Sequence, residues 1–236
     1  MRGPAPVGRP PRPGRGYPTA VRVLAVPVKS LERAKSRLAP LLTPLERAGL
    51  TLAMLEDVLD AALAQETWEV WVVSPDEAAL EIAARRGARP FPESAGSLLG
   101  AVREVQAKLP RRRDELAILL ADLPTATAPA LAEALAADAP VVAAPAASDG
   151  GTNLLVRRPP TRIPARFGQA SFAHHRWEAE RSGTPLLRVG GPGLEHDLDR
   201  PADLARLLAS GHPGRTRSAC LAMGLPGKLL ERAARP

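Results

Sequence analysis

At 236 residues and 45% hydrophobic composition, the chain is long enough for one α/β domain with a buried core and short for two. Aromatic residues at 3% exclude a stacking platform for nucleobases, and one cysteine, Cys220, excludes both an internal disulfide and a cysteine metal site, which fits a reducing, cytoplasmic setting. The net charge of +7 belongs to the ends: residues 1–20 and 211–236 each carry +4, which leaves −1 for residues 21–210.

Residues 1–20 are Pro, Gly and Arg with almost no apolar anchor and are expected to form a disordered basic tail. Val21–Val28 reads as a buried first strand. The loop that leaves it holds Lys29, Lys35 and Arg37, cations suited to a triphosphate, since Arg offers a planar fork and Lys a mobile point charge. A solvated basic turn is the alternative. Neither a P-loop nor a dinucleotide fingerprint occurs.

Helical patterning follows over Pro44–Ala64, then a strand at Val70–Val73, and helices at Asp76–Arg86 and Ser97–Lys108. The apolar run Leu116–Leu120 reads as a central strand with Asp122 just past its carboxyl end, where an oxygen ligand suits Mg²⁺ and where a turn or capping aspartate is equally at home. A helix near Pro129–Ala137 and a strand at Val141–Ala144 come next.

The segment Asp149–Asn153 reads as a Gly-Gly turn, and Phe167–Phe172 as a glycine loop into a helix that runs to Ser182. Thr152 and Ser171 supply hydroxyls, and Ser171 stands at the expected N-cap, whose free N–H groups suit a phosphate or carboxylate. An ordinary turn before a capped helix would look the same. His175, one turn past Ser171, faces the same region; Trp68, Trp71 and Trp177 read as core or helix-face residues.

A short strand at Pro185–Val189 leads to Glu195-His196-Asp197-Leu198-Asp199-Arg200-Pro201 and a final helix over Pro201–Ala209. Asp197 and Asp199, two apart on extended chain, point the same way, and with Asp122 would make a three-carboxylate metal site. Asp199 alone would also favour the dipole of that helix. Residues 211–236 form a basic C-terminal extension, with a short helix expected over Gly227–Ala234. No apolar run approaches a membrane span and no signal-peptide core opens the chain, so no membrane partner is expected. The strand–helix alternation predicts a parallel, helix-covered sheet over residues 21–210, with ligands outside the carboxyl ends of its strands.

Five segments in order carry a resemblance: Val26-Pro27-Val28-Lys29 with Ala34-Lys35-Ser36-Arg37-Leu38, Ala121-Asp122-Leu123-Pro124, Gly150-Gly151-Thr152-Asn153, Phe167-Gly168 with Ser171-Phe172 and His175, and Asp197 through Leu204. Together they resemble the 2-phospho-L-lactate or phosphoenolpyruvate guanylyltransferase family of coenzyme F420 biosynthesis, whose fold is similar to that of the molybdenum-cofactor guanylyltransferases. The resemblance implies a Rossmann-like, mostly parallel sheet of the nucleotide-diphospho-sugar transferase type. It implies GMP transfer from GTP to a small phosphorylated acid, with pyrophosphate leaving and the product passed to a downstream enzyme. Position by position it makes Asp122, Asp197 and Asp199 Mg²⁺ ligands, and it sets Thr152, Gly168 and Ser171 on the acid. Lys29, Lys35 and Arg37 become the catalytic, nucleotide-binding cations.

Ala121 departs from the glycine common in the family, and Gly96-Ser97-Leu98 stands where Gly-Leu-Asn is expected. Transfer to a sugar phosphate or molybdopterin is the alternative, against which the missing glycine-rich opening loop counts. Nucleic-acid binding is a distant third, because the basic residues lie on the ends and not on the folded body. Monomer and homodimer are both open.

Overall fold

In the computed structural model, residues 20–233 are described, so the segment read as a disordered tail lies outside them save for Ala20. The elements are β1 (Arg22–Pro27), α1 (Pro44–Leu63), β2 (Glu69–Ser74), α2 (Glu77–Arg86), β3 (Arg89–Pro92), α3 (Leu98–Ala107), β4 (Glu115–Leu119) and α4 (Ala128–Ala136). There follow β5 (Val141–Pro145), β6 (Thr152–Arg157), α5 (Ser171–Arg181), β7 (Leu186–Arg188), α6 (Pro192–Glu195), α7 (Pro201–Ser210), α8 (Arg215–Ala222) and α9 (Leu225–Ala233). Two short 3-10 turns, Leu31–Arg33 and Ser36–Leu38, shape the basic loop.

The strands form one sheet in the order β3-β2-β1-β4-β6-β5-β7. All neighbours are parallel except β6, which runs antiparallel to both β4 and β5. Strand periodicity divides β1 cleanly. Leu24 and Val26 join the core that α1, α2 and α4 cover, whereas Val23 and Ala25 join the α3 side. The mostly parallel, helix-covered sheet expected from the sequence is therefore the observed architecture, with one strand reversed.

Two strands escaped the sequence reading. β3 has the sequence Arg-Pro-Phe-Pro, and two prolines in four residues remove half of its ladder donors, which an outermost strand such as β3 tolerates because one of its sides pairs with no strand. β6, of which only Thr152 and Asn153 fall in the segment expected to be a turn, is buried at all six positions and shows no alternation to mark it. Local signals fix the helices well. Thr43 Oγ1 accepts the Glu46 N–H while Glu46 accepts the Thr43 N–H, a reciprocal cap ahead of Pro44.

The C-terminal residues, set apart in the sequence reading as an extension, fold onto the body. Cys220 and Leu225 are fully buried in a third cluster with Leu38, Leu42, Leu50, Met54, Leu204 and Leu207. Asp57 on α1 accepts the N–H groups of Arg215 and Thr216 at 2.8 Å each, which caps α8 from another helix. Of the three tryptophans, Trp68 and Trp71 are buried while Trp177 is exposed on α5.

Candidate active site

The chemistry-bearing residues gather at the carboxyl ends of β1 and β4, where a parallel sheet opens a crevice. The basic loop is pinned there from two directions. Asp76 accepts the Leu31 N–H at 2.8 Å, and the Arg47 guanidinium donates to the carbonyls of Ala34 and Leu42 at 3.1 and 3.0 Å. Partners 45 or 13 positions away leave no local pattern, so these anchors were not legible in the sequence. Lys35 itself lies in the left-handed region, φ 49°, a conformation costly for a residue with a Cβ.

That backbone turn drives the Lys35 side chain inward, where it is 8% exposed. Its ammonium donates to Asp122 Oδ2 at 2.9 Å and to Asp199 Oδ1 at 2.7 Å, and Arg37 donates to Asp199 Oδ2 at 3.0 Å. Burial works against the charged Lys35 amine, but the two carboxylates outweigh it and hold its pKa above the ordinary value. For Asp199, burial is overcome by Lys35, Arg37 and Lys29, and its pKa falls. Asp197 moves the other way: burial, with the charges of Asp122 and Asp199, pushes its carboxyl up against the hydrogen bond from Ser148. Lys29 is exposed on the wall of the same cleft.

Asp122, Asp197 and Asp199 present carboxylate oxygens within 4.8 Å of one another. Two backbone links hold them. The Leu198 N–H donates to the Asp122 carbonyl at 3.0 Å, tying the two segments together. Asp203 Oδ2 accepts the N–H groups of Asp199 and Arg200 at 3.1 and 2.8 Å, so Asp203 caps α7 and leaves the Asp199 side chain to face the cations. Asp122 Oδ1 is buried with no hydrogen-bond partner among the described residues. Three hard oxygen donors, one of them orphaned, fit a divalent cation such as Mg²⁺.

A cleft of about 340 Å³ is lined by Lys29, Arg33, Lys35, Arg37, Asp122 and Asp199 among others, with Leu98 from α3 on its wall, whereas Asp197 lines a second pocket with Pro124 and His196. That volume lies within the range of small-molecule sites. Of the segment Gly96-Ser97-Leu98, where the sequence departs from the family pattern, Leu98 stands on this wall.

The second group, Thr152, Gly168 and Ser171, forms a cluster of its own beside the triad and does not line this cleft. Ser148 joins the two: its Oγ donates to Asp197 Oδ1 at 2.9 Å, and the turn it opens pairs with the glycine loop through Ala170 N to Asp149 O and Phe172 N to Gly150 O. Close approach explains the glycines. A Cβ on Gly151 would meet Asp149 Oδ1 at 2.8 Å and the Gly168 carbonyl at 3.2 Å, and Gly168 itself has φ 102°.

Ser171 is not the N-cap that its position promised. Ala170, at φ 55°, precedes α5 without a side-chain cap, and Ser171 Oγ instead donates to Thr152 Oγ1 at 3.1 Å. His175 is fully buried behind the pair, with Nδ1 3.0 Å from Thr152 Oγ1 and Nε2 accepting the Arg166 N–H at 2.9 Å. Burial first, then the charges of Arg157, His174 and Arg166, bring its pKa down to about 4, with Glu178 opposing. Ser148 and Arg33 are not singled out by the sequence, and Asp203 lies within the quoted segment Asp197 through Leu204 without a role assigned to it.

Comparison with known proteins identifies the family. Residues 21–228 match the family described as guanylyl transferase CofC like. The phosphoenolpyruvate guanylyltransferase of Sphaerobacter thermophilus is 43% identical over 195 residues, covering 80% of this chain and 93% of that one. The 2-phospho-L-lactate guanylyltransferase of Methanothermobacter thermautotrophicus is 35% identical over 195 residues, covering 81% and 86%. Among solved structures, a protein of Desulfovibrio desulfuricans G20 described as a nucleotide-diphospho-sugar transferase superposes with a TM-score of 0.72 at 17% identity, covering 90% of this chain and 98% of that one. The fold is thus that of the nucleotide-diphospho-sugar transferases, and by sequence the chain belongs to the CofC-like guanylyl transferase family.

Proposed function

We propose that the chain transfers GMP from GTP to phosphoenolpyruvate or 2-phospho-L-lactate in the cytoplasm, releasing pyrophosphate, as a step of coenzyme F420 biosynthesis. The observation that carries this reading is one cleft in which Lys29, Lys35 and Arg37 face the carboxylates of Asp122 and Asp199. In the reaction an acceptor phosphate oxygen attacks the α-phosphorus of GTP in line. The new O–P bond forms as the bond to the β-phosphate oxygen breaks, and pyrophosphate leaves.

An acceptor phosphate is already ionised near neutral pH, so no strong general base is needed. Catalysis falls to alignment and to neutralising charge on the leaving group. Lys29 and Arg37, on the rim, suit the β- and γ-phosphates. Lys35 lines the same cleft and suits a phosphate oxygen. Asp122, Asp197 and Asp199 would hold a Mg²⁺ ion, which would supply Lewis-acid polarisation of phosphoryl oxygens and balance the triad's charge. Thr152, Ser171 and the Gly168 backbone hold the acid's anionic groups. The product is a mixed phosphoanhydride, and a downstream transferase consumes it.

The test is incubation with GTP, Mg²⁺ and each acid, with the product identified by mass spectrometry. Asp197→Ala and Asp199→Ala are expected to lower pyrophosphate release by at least about 100-fold with the fold intact. Full activity in both variants removes the metal assignment. Turnover of sugar phosphates in place of the acids removes the acceptor assignment.

A further inference from the structure

We infer that His175 is a positioning residue for the acceptor: it fixes Thr152 as a hydrogen-bond donor toward the phosphorylated acid. The inference rests on the reading of Thr152 and Ser171 as the acceptor pocket. It starts from one bond whose direction is not in question. The backbone N–H of Arg166 can only donate, and it points at His175 Nε2 at 2.9 Å, so Nε2 carries no proton. The neutral ring's proton therefore sits on Nδ1, 3.0 Å from Thr152 Oγ1, and is donated there.

Ser171 Oγ donates to the same oxygen at 3.1 Å. A hydroxyl oxygen has two lone pairs and one proton. With both lone pairs of Thr152 engaged, its proton is free only on the side away from His175 and Ser171, where it can meet an anionic oxygen. Were Nε2 the protonated atom, Thr152 would have to donate to Nδ1 and its hydroxyl would present a lone pair to the substrate, which repels a phosphate or carboxylate. Thr152, 2% exposed, opens β6 after the turn whose Ser148 holds Asp197, at the sheet rim where β4 ends ahead of Asp122. Arg166 and His175 thus act on the substrate through Thr152, without touching it.

Thr152→Val, His175→Phe, His175→Asn and the double variant Thr152→Val with His175→Phe are compared for the KM of each acid, the KM of GTP and kcat, with melting temperature followed for each. Thr152→Val and His175→Phe are each expected to raise the acid KM about tenfold and to move the GTP KM by less than about twofold. The double variant is expected to match Thr152→Val alone, because one hydroxyl carries both effects. His175→Asn, whose amide N–H reaches Thr152, restores most of the acid affinity. Additive single effects, or an equal rise in the KM of GTP, overturn the role of His175 while the acceptor pocket stands. An unchanged acid KM in Thr152→Val sinks the pocket itself and the role with it. Nitrogen NMR of the unsubstituted protein gives a readout independent of folding in the variants. It is expected to find the Nδ1–H tautomer, and an Nε2–H tautomer overturns the proposal.

Discussion

Lys35 is an intramolecular counter-ion for two carboxylates of the candidate site. It sits between two carboxylates at 2.9 and 2.7 Å with its side chain 8% exposed. Removing one partner of such a buried group leaves the others uncompensated. Lys35→Met is therefore expected to lower stability by about 2 kcal/mol in a chelator-treated sample. Millimolar Mg²⁺ is expected to raise the melting temperature of this variant by more than that of the parent chain, in a thermal melt with and without the metal; equal shifts would deny that Lys35 and the cation compete.

His175 carries a pH dependence at the same scale. Its folded pKa of about 4 lies below the ordinary 6.5, so between these values the unfolded chain takes up a proton that the folded chain refuses. This group's contribution is intact above pH 6.5 and declines as pH falls toward 4, with about 2 kcal/mol lost by pH 5. Urea midpoints at pH 7 and pH 5 should show the drop, and His175→Asn should flatten it.

Among the elements, those with local signals were legible: β1, β2, β4, β5 and β7 from their apolar runs, and α1 from its threonine cap and proline. Elements whose existence depends on neighbours were not. β3 forms on an edge despite two prolines, and β6 forms because it fills a slot between β4 and β5. The site followed the same division. The identities of Lys35, Asp122, Asp197 and Asp199 stood out in the chain, whereas the salt bridges among them span 87 and 164 positions and needed the fold.

Helix α8 is an element held from outside. Its first N–H groups are satisfied by Asp57 of α1, and Arg215 adds ion pairs to Glu56 and Asp60 at 2.6 Å each. Asp57→Ala is expected to cost about 1–2 kcal/mol, as for loss of a helix cap, and to raise amide exchange chiefly in α8 and α9. Uniform acceleration across the chain would speak against a local cap.

For the whole molecule, charge sets residues 211–236 apart as an extension, while Cys220 and Leu225 within them pack against the body. We propose that the catalytic unit includes the helices after Gly211, because Cys220 and Leu225 close the cluster that also buries Leu38, the end of the basic loop. Deleting residues 212–236 strips that cover and is expected to cost several kcal/mol, about 2–3 for each large buried side chain lost. GTP affinity should fall too, through the loosened loop. A truncated chain with unchanged melting temperature and GTP KM would restore the boundary at 210.

The reversed strand β6 has a geometric consequence of its own. Because it runs against β4, with Leu119 opposite Leu154 and the Leu120 N–H on the Asn153 carbonyl, β4 ends where β6 begins. Asp122, just past the exit of one strand, and Thr152, at the entrance of the other, meet at one rim of the sheet. A parallel strand of six residues in that slot would deliver its first residue to the opposite rim, about 20 Å away. The Asp122 carboxylate and the Thr152 hydroxyl are thus gauged against each other by the hydrogen-bond ladder of a single strand pair, and a one-residue slip in that ladder would change the distance between them before it disturbed either half alone.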